Sequence, residues 1–290
     1  MKRFFVSASL ALATFCSVAA IGTYAQTTSA SQDRPWMNRA LSPDERASLV
    51  LKEMTLDEKL SLLHGNGMAR EPQWTMPLTS QSNGGAGYIA PIARLGIPAI
   101  DISDAAYGVR AAGSMGRYAT ALPSNLGAAC SWDRKAAYAY GSLIARELRA
   151  QGFNMSLGGG VNLTREPRSG RTFEYLGEDP ILAGTLVGQL MAAERAEHVI
   201  SDIKHYAVND QETGRSVLSS EISERAMRES DLLASRSAST TRSRAPLCAL
   251  ITASTATMRA KTTIYCERSS RKIGTIRVLS SPIGARFIRP

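Results

Sequence analysis

No GxSxG, HExxH or CxxC occurs in the 290 residues. That removes the serine-hydrolase elbow, the zinc-protease helix and the redox dithiol from consideration. Cysteine is scarce as well. Of four, Cys16 lies in the N-terminal apolar run, leaving Cys130, Cys248 and Cys266. An odd set without metal spacing gives no disulfide framework and no metal site, and no cofactor is expected. After the first 25 residues no further apolar run has the length of a membrane span. Internal repeats are also missing. Acid is almost absent from the end of the chain: Ser235 to Pro290 holds no Asp and one Glu, Glu267, against eleven Lys and Arg. The formal charge of +9 suggests a nucleic-acid partner, but its distribution excludes one for the body. Taking the tail from the totals of 34 basic and 25 acidic residues leaves 23 and 24, so residues 1–234 are nearly neutral.

What is present begins with a leader. Lys2 and Arg3 precede an apolar run from Phe4 to about Ala20, and Thr23-Tyr24-Ala25 suits cleavage, the pattern of a secretory signal. Cys16 lacks the small residues of a lipoprotein site before it. We therefore expect export to the periplasm or the medium, a mature chain from about Gln26, and no membrane anchor after cleavage.

The body carries helix-start signals. Ser42 with Pro43 and Glu45, and Thr55 with Glu58, are capping patterns, and Gly65 is a stop. Residues 81–91, QSNGGAGYIAP, read as a Gly-rich loop. Then a theme recurs: a short apolar strand (IPAIDIS, FNMSL, VISDIK), a long loop, and an amphipathic helix. Asp133 or Ser131 caps one helix, Asp179 with Pro180 begins the next, and EISERAMRESDLLA is a third. Strand, long loop and helix in alternation predict an α/β fold with a parallel sheet. Long loops after the strands are where β/α barrels build their sites.

Three strand ends carry polar residues that a core would not need. Asp104 follows the first strand. Arg165, Arg168, Arg171, Glu174, Glu178 and Asp179 lie in the loop after the second. Lys204 and His205 end the third, ahead of Asn209, Asp210 and Glu212. On neighbouring parallel strands these groups converge on one rim. Fixed carboxylates and cations suit a polyhydroxylated ligand, because charge-assisted hydrogen bonds contribute about 1.5–3 kcal/mol each when shielded. Structural roles stand beside that reading. Asp104 also fits a turn or cap, Arg171 with Glu174 an ion pair, and Glu178 and Asp179 a helix N-terminus. His205 fits a buried structural histidine, as do His64 and His198 near helix ends. Leu157 to Gly160, LGGG, is a weak phosphate-loop signal, because loop and not helix follows it.

GGGVNLTREPRSGRTFEYLGEDPILAG and IKHYAVNDQETGR resemble the signatures of glycoside hydrolase family 3, exported β-glucosidases among them. SDAAYGVR is similar to that family's Asp-Gly-Pro turn, with Ala105 and Ala106 in place of Gly-Pro, and ALPSNLGAACSWD fits too. The resemblance runs from about Leu41 to Ala234. It implies an incomplete (β/α)8 TIM-type barrel over 41–234, after a signal at 1–25 and a linker at 26–40. It also implies an O-glycosyl hydrolase acting with retention on terminal β-D-glucosyl residues of small oligosaccharides or β-glucosides. Asp104, Arg171, Lys204 and His205 match the family's sugar-binding positions. The implied nucleophile, an Asp in Ser-Asp-Trp, is absent after Ala234, and the implied acid/base lies beyond the first domain.

The tail at 235–290 reads as non-native and disordered, and its codons offer a cause. Pro246 to Thr252 can be encoded so that a two-base offset spells Val-Met-Cys-Ser-Tyr-Asn. At the same offset Val278 to Ala285 can spell Phe-Val-Leu-Ser-Asp-Trp-Gly. A shifted reading frame after about Ala234 is therefore expected, leaving a chain without its catalytic carboxylates. The alternative is a non-catalytic sugar-binding fragment. A basic tail that binds phosphate is the remaining possibility, and export argues against a nucleic-acid partner for it.

Overall fold

The structure, a computed structural model, describes residues 34–67, 81–110, 117–205, 207–214, 220–240, 263–266 and 274–277. The expected leader and most of the basic tail lie outside the described residues. Two compact units are present, Met1–Leu49 and Val50–Pro290. In the first, Trp36 is buried in a 3-10 turn, Pro35–Met37, and its carbonyl accepts from Arg46 Nε at 2.5 Å. Helix α1, Pro43–Glu53, starts as its sequence predicts: the Glu45 N–H donates to Ser42 Oγ, and the Ser42 N–H to Glu45 Oε2.

The second unit holds the sheet. Helix α2 (Leu56–His64) carries the reciprocal Thr55–Glu58 cap. There follow β1 (Gly87–Ile89), β2 (Ile100–Asp104), α3 (Asn125–Ala129), α4 (Arg134–Ala150), β3 (Met155–Gly160), α5 (Pro180–Ala196), β4 (Ile200–Lys204), α6 (Glu224–Glu229) and α7 (Asp231–Thr240). The sheet order is β1-β2-β3-β4. Strands β2, β3 and β4 are parallel, with α4 and α5 as their crossovers, and β1 runs antiparallel on the edge. This is an α/β architecture, part of a (β/α)8 barrel. Strands β5 (Thr263–Cys266) and β6 (Gly274–Arg277) form a separate antiparallel pair.

Core and caps follow from the sequence. Asp133 caps α4, and Asp179 accepts from the N–H groups of Ile181 and Leu182 to start α5 at Pro180. Helix α4 buries Ile144, Ala145 and Leu148 with Phe153 and Val199. Helix α5 is buried more widely: Leu186, Val187 and Met191 pack with Val161, Leu163, Ile203, Ala234 and Ala238. Gly184 makes the α5–α7 approach possible, since a Cβ there would lie 2.5 Å from the Ala234 carbonyl oxygen. Among the described residues no helix is long and apolar enough to cross a membrane.

Five expectations need correction. The Gly-rich stretch contains β1: Gly87 leaves room against the Ile102 side chain, and Tyr88 and Ile89 are buried. Strand β3 does not stop at Leu157 but continues through Gly158–Gly160, past a register shift against β4. The long loop before α4 contains the short helix α3, capped by Ser124. The third predicted helix is two, broken at Ser230 (φ −126°, ψ −88°) where Arg165 is held. Helix α7 also runs past Ala234 to Thr240, with Ala238 buried, so helical packing crosses the point where the composition changes.

Candidate functional site

Asp104 and Lys204 are the last residues of β2 and β4, at the carboxyl ends of parallel strands. Strand β3 lies between them. Two strand spacings separate their backbones by roughly 10 Å. The intervening end of β3 is Gly158–Gly160 and carries no side chains. Lys204 reaches across it, and its Nζ lies 3.0 Å from Asp104 Oδ1. The last glycine is needed for packing too: a Cβ on Gly160 would sit 1.8 Å from the Glu174 carbonyl oxygen.

The loop after β2 holds Asp104 still. Ser103 Oγ donates to the Arg110 carbonyl at 2.5 Å, and the Arg110 N–H donates to the Asp104 carbonyl at 2.8 Å. Ala105 and Ala106 are buried, and Tyr140 Oη donates to the Ala106 carbonyl. Burial pushes the Tyr140 phenol well above its ordinary value.

The loop after β3 supplies Arg171 and Glu174 on a 3-10 turn, Thr172–Glu174. Arg171 Nε donates to Glu174 Oε1, and Glu174 Oε2 lies 3.3 Å from Lys204 Nζ. Glu174 thus joins the two cations. The Lys204 side chain is 4% exposed and is held by two carboxylates, as a buried charge requires. Burial works against the Arg171 charge, but Glu174, with Tyr175 and Glu212 nearby, outweighs it and holds the guanidinium above its usual value. The Arg171–Glu174 ion pair exists, and it belongs to the rim.

His205 is buried beside Tyr175. Its Nδ1 is 2.9 Å from Tyr175 Oη, the rings meet edge to face, and Asn209 Nδ2 donates to the same phenol oxygen at 3.2 Å. Burial pushes the Tyr175 phenol to about 12, with the Asn209 hydrogen bond opposing, so it stays protonated at neutral pH.

The structure therefore gathers Asp104, Arg171, Lys204 and His205 on one rim. It does not bring Arg165 or Arg168 there. Arg165 donates two hydrogen bonds to the Asp231 carboxylate (2.9 and 2.7 Å) and lies 3.4 Å from Asp210, tying the loop to the α6–α7 junction. Arg168 pairs with Glu166 at the surface. Glu178 is exposed, and Asp179 is the α5 cap. Tyr175 is the supporting residue that the sequence reading passed over. Its only signal was its place directly after Glu174.

Comparison with known proteins identifies the family. The model of the glycosyl hydrolase family 3 N terminal domain matches residues 79–260. The chain belongs to glycosyl hydrolase family 3. The match starts later than Leu41 and extends past Ala234, where the sequence reading ends the resemblance. Thermostable β-glucosidase B of Acetivibrio thermocellus is 32% identical over 188 residues, 62% of this chain and 22% of that protein. A probable β-glucosidase K of Aspergillus fumigatus is 36% identical over 185 residues, 63% of this chain and 22% of the relative. Among solved structures, β-glucosidase 3B from Thermotoga neapolitana in complex with α-D-glucose aligns with a TM-score of 0.60 at 31% identity. That alignment covers 67% of this chain and 27% of the other. DesR, a β-glucosidase from Streptomyces venezuelae in complex with D-glucose, gives a TM-score of 0.58 at 30% identity, with 68% and 23% covered. The chain spans about a quarter of the length of these family members.

Chemically, the rim is a chain of carboxylates and cations in contact. Asp104 and Glu174 both answer to Lys204, and Glu174 also to Arg171. Asp104 keeps 39% side-chain exposure, which leaves it able to accept from ligand hydroxyls.

Proposed function

We propose that this chain is the sugar-binding part of an exported, retaining β-glucosidase. In this reading Asp104, Lys204, Arg171 and His205 grip the non-reducing glucosyl residue of a β-glucoside or small oligosaccharide. The single observation behind it is the continuous contact from Asp104 through Lys204 and Glu174 to Arg171 at the carboxyl ends of three parallel strands. Each carboxylate in that chain is engaged by a cation, and the Ser-Asp-Trp nucleophile motif that the family resemblance implies does not occur in the 290 residues. The 290 residues are thus expected to bind sugar and not to hydrolyse it.

The nucleophile of the whole enzyme belongs, in this proposal, to sequence that the tail encodes in a shifted frame. The nucleotide sequence over Val278 to Ala285 decides that point. Codons that do not give Ser-Asp-Trp at a two-base offset remove it. The leader is tested by the N-terminus of the exported protein, expected near Gln26.

Function is tested by calorimetric titration of the purified chain with D-glucose and cellobiose, beside an aryl β-glucoside assay. We expect saturable binding that D104A loses, and no turnover. Ordinary turnover refutes the binding-only role, and an absence of saturable binding refutes the sugar site.

A further inference from the structure

Glu212 lies in the loop after β4, seven residues past His205, and its contacts run to both halves of the rim. Its Oε1 accepts from Asn209 Nδ2 at 2.8 Å and lies 3.4 Å from Arg171 Nη1. Its backbone N–H donates to the Ser169 carbonyl at 3.0 Å. A Cβ on Gly170, whose φ is +92°, would meet the Glu212 side chain at 3.5 Å. The loops after β3 and β4 are clasped here by backbone, by packing and by one carboxylate.

We propose that Glu212 is a positioning residue that closes a ring of polar contacts around the candidate sugar site. One arm of the ring runs from Lys204 through Glu174 to Arg171. The other runs from His205 through Tyr175 to Asn209. Lys204 and His205 are adjacent in the chain, so the arms already meet at one end. Glu212 joins them at the other, through Arg171 and Asn209. A hydrogen bond to a charged group is stronger and more directional than a neutral one. A carboxylate that accepts from both a guanidinium and an amide therefore fixes the two donors relative to each other. Without it, Arg171 keeps Glu174 and Asn209 keeps its backbone bonds to Asn162, but the Asn209 amide loses one of the contacts that aim it at Tyr175, and the hold on the His205 ring through Tyr175 is weakened. Glu212 acts on a ligand through Arg171 and His205. This inference rests on the reading of those two residues as sugar-binding.

The test uses the full chain with E212A and E212Q, read by two independent measurements. The first is the ring-nitrogen NMR signature of His205, tractable because the chain has three histidines. The second is D-glucose affinity by calorimetry. E212A is expected to shift the His205 signals and weaken glucose about tenfold, equal to about 1.4 kcal/mol, with an unchanged far-UV spectrum. E212Q keeps an oxygen for Asn209 but no charge for Arg171. It should retain the His205 signals and bind with intermediate affinity, and it carries the affinity test if E212A does not fold. A purely structural Glu212 would lower the melting temperature without moving either readout, and that result overturns the proposal. So does wild-type affinity in both variants. If the wild-type chain binds no glucose, the sugar-site reading fails, and the His205 signals alone then decide whether Glu212 orders the ring.

Discussion

Glu194 offers a sharp physical test of the packing behind the site. It lies on α5, is 1% exposed, and faces Ser156 on β3 and Ser201 on β4. Burial pushes its carboxyl from 4.5 up to about 7, and the two serine hydroxyls only partly offset this. Oε1 has no hydrogen-bond partner among the described residues. The folded pKa is raised, so the folded state binds the proton more tightly than the unfolded chain does. The stability this provides is complete below about pH 4.5 and is lost as the pH rises to about 7. At about 1.36 kcal/mol per unit, a rise of roughly 2.5 units corresponds to about 3 kcal/mol. E194Q supplies a neutral side chain of the same shape at every pH. Urea unfolding of both proteins from pH 4 to 8, followed by far-UV circular dichroism, measures the difference. Wild type should lose about 3 kcal/mol relative to E194Q across that window. Comparison with the variant cancels Asp101 and Asp210, whose carboxyls burial also raises. Parallel pH profiles would refute a neutral, buried Glu194.

Three further outcomes are expected. K204M leaves Asp104 and Glu174 facing each other without their shared cation, so glucose affinity should fall at least tenfold by calorimetry. R165A leaves the Asp231 carboxylate, which is 1% exposed, without its cation and with the Ser230 hydroxyl still donating to it, and should destabilise the chain by about 2–4 kcal/mol in urea while leaving the rim in place. L148A opens a cavity between α4 and the sheet, where Leu148 is fully buried. It should cost about 2–5 kcal/mol by the same measurement.

Much of the fold was legible because its signals are local. The caps at Ser42, Thr55, Asp133 and Asp179 depend on residues within three positions of each other, and all four formed. The rim was legible because a charged residue at the end of an apolar strand has few structural reasons to be there. What stayed hidden depends on distant partners. Strand β1 is set by its pairing with β2. The reach of β3 through three glycines is set by Glu174 and the neighbouring strand backbone. Arg165 looked like its neighbour Arg171, but Asp231, 66 residues away, claims it. Tyr175 carries no sequence signal beyond its place after Glu174. Its role appears only when His205 and Asn209 are brought to its hydroxyl.

The account stands on a glucosyl residue being held at the ends of β2, β3 and β4. A crystal of the chain soaked in D-glucose examines that most directly. The pyranose should appear with its hydroxyls within hydrogen-bond distance of Asp104, Lys204, Arg171 and His205. Glucose ordered elsewhere, or an empty rim at saturating sugar with these four side chains in place, would contradict it.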